Sequence, residues 1–220
     1  QLSPAPVGNP SDSFGEIALE RQGTATWTWA STNETQIRLL DAGAKVFREV
    51  GYSDASVARI VAEAGSSTGS LYHHFGGKAE LFDALWREHY SARLERVRMA
   101  VRLARANGEK DTLELFCVGS RMYLANSWER REVGQIFLKF DGPPGFENLR
   151  SELSVAWIRR NTEMLSIEGK IEQRVTVGVL TNIISQAARE VASCKTKRQA
   201  TEVADVAERM IRRVWPHRAG

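Results

Sequence analysis

From residue 31 onward, apolar residues recur every three or four positions, which is the spacing of one face of an α-helix. The first such series is Ile37, Leu40, Ala44, Phe47 and Val50, and Gly51 ends it. No pair of alternating segments typical of strands follows, and no internal repeat is present. The pattern therefore predicts an all-α protein, with helices at 31–51, 56–65, 68–75, 78–107, 111–129, 132–140, 146–167, 171–194 and 198–215.

Two segments interrupt this helical periodicity. Residues 1–30 contain Pro4, Pro6 and Pro10 among glycine and small polar residues, so we expect a flexible N-terminal arm. Within it, Thr26–Trp29 alternates as a strand would, but no partner strand is evident. Residues 141–145, Asp-Gly-Pro-Pro-Gly, form the clearest internal loop.

Composition narrows the class of protein. The 220 residues suffice for one or two domains, and 42% hydrophobic with 26% charged residues is typical of soluble globular proteins. No run approaches the roughly 18 apolar residues that span a bilayer, and no basic segment leads into an apolar run as in a secretory signal. Two cysteines without a C-x-x-C pair exclude a disulfide scaffold and a cysteine zinc site. We therefore expect a cytoplasmic protein.

Residues 53–75 are the most informative part of the chain. Two short helices joined by a turn containing Gly65 are typical of a helix-turn-helix, whose second helix enters the major groove of DNA. Ser67 or Thr68 begins that helix, where free backbone N–H groups suit a phosphate. Thr68 and Ser70 offer hydroxyls to base edges, and Tyr72, His73 and His74 offer donors at the duplex surface. The alternative is an ordinary αα-hairpin.

Several short motifs resemble the DNA-binding signature of the TetR family of bacterial transcriptional regulators. They are Gly51-Tyr52, Ile60-Val61, Ala64-Gly65, Ser67-x-Gly69-Ser70-Leu71-Tyr72-His73-His74-Phe75 and Lys78-x-Glu80-Leu81. The resemblance covers residues 35–86. It implies a DNA-binding domain over 31–80 and a helical ligand-binding and dimerisation domain over 81–220. A homodimer that binds a palindromic operator, usually as a repressor released by a small ligand, is the implied function.

The resemblance also assigns roles to single residues. Tyr72, His74 and Lys78 match positions that contact phosphate, whereas Thr68, Ser70 and His73 match positions that approach bases. A basic residue is common at the position of Thr68, and a basic arm often precedes the first helix. Here residues 31–80 carry five basic and six acidic side chains. We therefore expect modest DNA affinity with a shallow salt dependence.

Two other chemistries are disfavoured. Residues 65–69 match G-x-S-x-G, the nucleophile elbow of α/β-hydrolases, but that motif requires a preceding strand. His73 and His74 point about 100° apart on a helix, so they do not readily share a metal ion. We expect no enzyme, no cofactor and no metal site. An enzyme using Ser67 with a histidine remains the rival of another class.

The middle helices are rich in large aromatic residues. These are ordinarily core, yet bundle interiors commonly hold small ligands, and the resemblance places an effector pocket there. The candidate pocket residues are Trp86, Tyr90, Phe116, Tyr123, Trp128, Phe137 and Trp157.

The last two helices carry seams of small and branched residues that suit close helix packing. Packing within one chain is the simpler alternative, and a four-helix interface between two subunits is what the family implies. The candidate dimer residues are Leu180, Ile184, Ala187, Val191, Val203, Ala207, Met210 and Val214.

The sequence thus predicts a ligand-released repressor that binds double-stranded DNA as a homodimer. The alternative is a small-molecule-binding helical module that has lost DNA binding. Neither the effector, the operator, the regulated genes nor the choice between repressor and activator follows from the sequence.

Overall fold

A computed structural model of the chain describes residues 34–138, 141–165 and 170–215. Within these ranges the chain forms nine α-helices and no strand. They are α1 (Glu34–Val50), α2 (Val57–Glu63), α3 (Thr68–Phe75), α4 (Lys78–Ala106), α5 (Thr112–Glu129), α6 (Arg131–Leu138), α7 (Phe146–Leu165), α8 (Lys170–Ser193) and α9 (Lys197–Val214).

The predicted all-α class is confirmed over the described ranges, and every predicted helix is present. The predicted arm over 1–30 and its strand-like Thr26–Trp29 lie outside the described residues. Side-chain caps explain several boundaries, because a cap satisfies a backbone N–H that the helix itself leaves unpaired. Asp111 accepts from the Glu114 N–H at 3.0 Å, and Thr196 forms a capping box with Gln199 at the start of α9.

Phe82 of α4 joins the first three helices to the helices that follow. Its ring centroid lies 5.4 Å from that of Phe47 and 5.2 Å from that of Tyr52 on one side. On the other side it lies 5.2 Å from Phe137 and 5.0 Å from Phe146. All four contacts are edge-on, the arrangement that aromatic quadrupoles favour. This first core therefore crosses residue 80, the predicted domain boundary.

A second core joins α5, α7, α8 and α9. Its buried side chains are Phe116, Cys117, Leu124, Leu165, Val177, Leu180, Ile184, Ala187, Val191, Ala200, Ala207 and Ile211. A charged network ties α5 to α9 beside it. Arg212 donates to Glu114 at 2.8 Å and to Glu208 at 2.8 Å, and Arg121 of α5 also donates to Glu208.

This network makes stability depend on pH. The hydrogen bond from Arg212 lowers the pKa of Glu114, and burial opposes that shift only in part. A carboxylate whose pKa is lower in the folded chain stabilises the fold when ionised, and this contribution disappears as pH falls through its folded pKa. Glu114→Gln should therefore cost most stability at neutral pH, and the deficit should shrink below about pH 4.3, the ordinary pKa of glutamate. Urea unfolding across this pH range measures the effect.

Glu202→Gln is the matched control. Glu202 lies on α9 and is largely exposed, and among the described residues its ionic partner is the neighbouring Arg198 at 3.8 Å. An exposed pair of this kind contributes little. A deficit for Glu114→Gln that stays constant between neutral and acidic pH would contradict the assigned role of its charge.

Candidate nucleic-acid interface

Helix α3, which the sequence predicts to contact DNA, begins at a capped turn. Ser67 has an extended backbone, and its hydroxyl accepts a hydrogen bond from the Ser70 N–H at 3.1 Å, which starts α3. Leu71 and Phe75 are buried and fix the helix to its neighbours. Gly76, at φ +93°, ends α3 in the left-handed conformation that glycine adopts most easily. The local sequence therefore defines both ends of this helix and its inward face.

The outward face of α3 carries most of the residues that the sequence singled out. Thr68, Gly69 and His73 are exposed, and Tyr72 is 53% exposed with its ring outward. Ser70 and His74 are half-buried, and the rings of His73 and His74 meet edge-on at 5.1 Å. Hydroxyl, phenol and imidazole groups thus share a convex surface about the width of one helix, which is the shape that fits a major groove.

Lys78 has a role that the sequence did not suggest. Its ammonium nitrogen donates to the carbonyl oxygens of Tyr52 and Ala55, both at 2.8 Å, and lies 4.3 Å from the centre of the Tyr52 ring. Two of its three donors therefore fasten the start of α4 to the turn between α1 and α2. One donor of the Lys78 ammonium is left for the predicted phosphate contact.

The other cations of residues 34–80 are paired with carboxylates. Lys45 lies 2.6 Å from Glu63, and Arg59 lies 2.5 Å from Glu49. Arg48 pairs with Glu132 of α6, and Arg38 lies 3.4 Å from Glu34. All these pairs are substantially exposed, so each contributes little to stability and a phosphate can compete for the cation. Residues 34–80 therefore offer DNA even fewer unpaired positive charges than the sequence predicted.

Helices α1–α3 with the start of α4 are called the head below. Asp141, from the loop between α6 and α7, hydrogen-bonds to the turn after α1, and we call this contact the clasp. No sequence pattern singled out Asp141. Its carboxylate accepts from the Ser53 N–H at 3.1 Å and from the Ser53 hydroxyl at 2.6 Å. Burial alone would raise the pKa of Asp141, but the hydrogen bonds from Ser53 and Tyr52, together with the positive charge of Lys78, outweigh burial and lower it. The sequence identified the loop, but it held no signal for which segment the carboxylate would contact.

The clasp explains why Gly51 lacks a side chain. Gly51 has φ +84°, and a Cβ atom built there would lie 2.4 Å from the Asp141 Oδ2 atom. Glycine is therefore required twice at this position, by the left-handed backbone and by the approaching carboxylate.

The predicted pocket residues divide between the two cores. Trp86 and Phe137 pack in the first core, and Tyr90 stacks on Trp86 at 5.8 Å. Phe116, Tyr123 and Trp128 pack in or against the second core. The side chain of Trp157 lies outside the described residues. The predicted set therefore does not line one surface, because residues at different turns of a helix face different neighbours.

The predicted dimer residues require a correction. Leu180, Ile184, Ala187, Val191 and Ala207 are buried within their own subunit, so they have almost no surface left for a second copy. Val203 is half-buried against the same core. Only Met210, 49% exposed, and Val214 face outward. The seam that we assigned to dimerisation mainly packs α8 against α9 and α5, which is the simpler alternative.

Other chemistries find no support in the described part of the chain. No group of three or more His, Cys, Asp or Glu side chains there is arranged to hold a metal ion. Ser67 follows helix α2 rather than a strand, so the G-x-S-x-G match lacks the geometry of a nucleophile elbow. None of the described helices is long and apolar enough to cross a membrane.

Comparison with known proteins identifies the head. Residues 39–85 match the family model described as bacterial regulatory proteins, tetR family. Over 58 residues the chain is 41% identical to the HTH-type transcriptional regulator SrpR of Pseudomonas putida, covering 26% of this chain and 27% of that relative. Over 57 residues it is 44% identical to the HTH-type transcriptional repressor AcnR of Corynebacterium glutamicum, covering 26% of this chain and 30% of the relative. The matched segments thus span less than a third of these relatives.

Solved structures extend the likeness beyond the head. A TetR-like transcriptional regulator from Rhodococcus superposes with a TM-score of 0.65 at 19% identity, covering 81% of this chain and 94% of the other. A transcriptional regulator from Aquifex aeolicus gives a TM-score of 0.64 at 22% identity, covering 82% of this chain and 99% of the other. The predicted resemblance is confirmed: residues 39–85 match the family model of the tetR regulators, and the chain has the fold of TetR-like regulators.

The clasp yields a test with an internal control. Gly51 and Gly65 both have left-handed backbones, but a Cβ atom at Gly65 would meet nothing within 4 Å. Gly65→Ala should therefore cost only about 1 kcal/mol of backbone strain. Gly51→Ala should cost an additional ~1–3 kcal/mol from the overlap with Asp141. Urea unfolding gives both values.

Removing the carboxylate should isolate that overlap. In an Asp141→Ala background, Gly51→Ala should cost no more than Gly65→Ala does, because only the backbone strain remains. An equal cost of Gly51→Ala in both backgrounds would mean that Asp141 does not restrict this position.

Proposed function

We propose that the protein is a transcriptional repressor that binds a palindromic DNA operator as a homodimer and that a small ligand releases it. The observation that carries the proposal is the outward face of α3, whose polar residues are exposed while Leu71 and Phe75 hold the helix in place. This face lies within the segment that matches the DNA-binding domain of the TetR family.

The contacts of α3 with DNA divide into two kinds. Thr68, Ser70 and His73 are proposed to approach base edges, because they lie at the start or on the outer side of the helix. Tyr72 and His74 are proposed to contact phosphate, together with the unpaired backbone N–H groups after Ser67. Lys78 contributes through the position of α4 and through its remaining donor.

Exposed apolar stripes on α8 and α9 support dimer formation. Val175 and Val179 lie one turn apart on α8, and Val206, Met210 and Val214 lie one turn apart on α9. Between the α8 valines, Gly178 has open space where a Cβ would be, which suits close helix approach. In a dimer that binds a palindromic operator, the two α3 helices meet successive major grooves, which lie about 34–36 Å apart on one side of DNA.

The shared aromatic core supplies a route for ligand release. Phe137 of α6 contacts Trp86 at 5.0 Å and Phe82 at 5.2 Å, and Phe82 contacts Phe47 of α1. A ligand that shifts α6 against α4 would therefore move the head as well. Weakening DNA binding tenfold requires that the ligand distinguish the two states by about 1.4 kcal/mol.

The alternative, a ligand-binding module without DNA binding, draws on the paired cations of the head. With Lys45, Arg48 and Arg59 held by carboxylates, DNA must displace an internal partner for each cation that it recruits. The salt dependence of binding distinguishes the two candidates, since phosphate contacts make affinity fall with salt.

DNA binding is tested by fluorescence anisotropy on the DNA upstream of the protein's own gene. Tyr72→Phe should weaken binding to all sequences about equally, because it removes only a phosphate contact. Thr68→Ala should instead alter the preference among sequences by about 1–3 kcal/mol. Equal losses on specific and unrelated DNA for both variants would contradict this division.

The dimer surface is tested by charge. Replacing Val179 and Met210 together by glutamate should convert the dimer to monomers in sedimentation velocity, since two buried carboxylates would face their own copies across the axis. Met99→Glu is the control, because Met99 is also an exposed apolar residue but lies on α4. An unchanged dimer in the double variant would move the interface elsewhere.

A further inference from the structure

The buried polar atoms without a partner lie in the part of the described chain that follows the head, which we call the body. Among the described residues they all lie between Trp86 and Thr181, and residues 34–85 have none. A buried donor or acceptor without a hydrogen bond destabilises the fold, so native proteins contain few of them. Five of these atoms belong to four neighbouring residues, Trp86, His89, Arg93 and Asn126, which we name the α4–α5 donor cluster.

His89 has a defined tautomer within this cluster. It is 1% exposed, and its Nε2 atom contacts the guanidinium of Arg93, which can only donate. Nε2 is therefore the acceptor, and the ring proton sits on Nδ1. Burial, followed by the positive charges of Arg93 and Arg130, lowers the pKa of His89 to about 2, so the ring stays neutral at physiological pH. The Nδ1–H group is a donor without a partner.

Arg93 leaves a positive charge uncompensated beside His89. Its guanidinium donates to the Tyr123 hydroxyl at 2.8 Å and lies 4.7 Å from the centre of that ring, yet no described carboxylate lies within ion-pair distance. Arg130, the second cation near His89, is neutralised by two hydrogen bonds to Glu88. Arg93 is half-buried as a residue, but its Nε–H is fully buried and is a further donor without a partner.

Asn126 completes the cluster from the facing helix. On α5 it lies three residues after Tyr123, which contacts Arg93, and four before Arg130, which contacts Glu88. These spacings place Asn126 on the same face of α5, opposite the 88–93 segment of α4. It is fully buried, and neither its amide nitrogen nor its amide oxygen has a partner.

Apolar rings border the cluster on the other side. Phe137 lies 5.6 Å from the His89 ring and 5.0 Å from Trp86, and Phe146 lies 5.4 Å from Trp86. The indole N–H of Trp86 is one of the unpartnered donors. The cluster thus combines several hydrogen-bond donors and one uncompensated cation with neighbouring aromatic rings. Such a site suits an anionic group attached to a flat, apolar ring.

We propose that the α4–α5 donor cluster binds the carboxylate of a small aromatic acid and that this acid is the effector of the protein. The proposal builds on the proposed function, in which a ligand releases DNA. Arg93 supplies the charge, the N–H groups of His89 and Trp86 donate to the carboxylate oxygens, and Asn126 fixes its orientation. The aromatic ring of the acid packs against Phe137, which continues into the core of the DNA-binding head.

Isosteric acid and amide pairs test the charge requirement directly. Isothermal titration of the full-length protein with benzoate, phenylacetate and 2-naphthoate, each against its primary amide, should give at least one acid that binds tenfold or more tightly than its amide. Amides that bind as tightly as every acid would overturn the proposal. So would the absence of binding by all three acids up to millimolar concentration.

Variants connect the preference to the cluster. Arg93→Gln should abolish the preference for the acid and leave amide binding unchanged, whereas Arg96→Gln should leave both unchanged. Arg96 is the matched control, three residues further along α4 and paired with Glu129 on the surface. Asn126→Asp places a negative charge in the cluster without changing its volume, so it should weaken acid binding at least tenfold. Acid preference that survives in both Arg93→Gln and Asn126→Asp would exclude the site.

A parallel DNA-binding assay distinguishes this proposal from the one on which it builds. Specific DNA binding that the acids do not weaken would overturn the acid as effector and leave the repressor intact. Acid binding that depends on Arg93 in a protein without any DNA binding would support the site and refute the repressor.

Discussion

The fold depends on one aromatic side chain that two parts of the molecule share. Phe82 fills the centre of the head, against Phe47 and Tyr52, and also contacts Phe137 and Phe146 of the body. Helices α1–α3 alone bury little apolar surface. Their core is completed by side chains of α4, α6 and α7. Because packed interiors deform little, this shared core is the contact through which the proposed ligand release would act.

Local features of this protein could be predicted from its sequence, and contacts between distant segments could not. The bounds of α3 follow from Ser67 at its start and Gly76 at its end, and the buried Leu71 and Phe75 follow from helical spacing. The link between Asp141 and Ser53 spans 88 positions and leaves no periodic signal. The seam of α8 and α9 was assigned to a dimer interface although most of it packs within the chain, because periodicity does not say whether the neighbour is the same chain or another.

The pairing of charges likewise depends on contacts between distant segments that the sequence does not reveal. Counting charges revealed a head without excess positive charge, but only the fold shows that Lys45 and Arg59 face Glu63 and Glu49. In the helices after the head, no sequence pattern singles out His89 or Asn126, because a histidine on an apolar face is ordinarily satisfied within the core. Their unpaired atoms become visible only when every neighbour is known. Such atoms lower stability, which is a common cost of a binding site.

The contact between Gly51 and Asp141 restricts how this sequence can change over evolutionary time. A side chain at position 51 is tolerated only after position 141 has lost its carboxylate, since the two would otherwise occupy the same space. The reverse order passes through a variant that carries both the overlap and the backbone strain. In homologous chains that have lost the acid at 141, only the left-handed backbone still disfavours a side chain at 51, so the two positions should change together although 90 residues separate them in the chain.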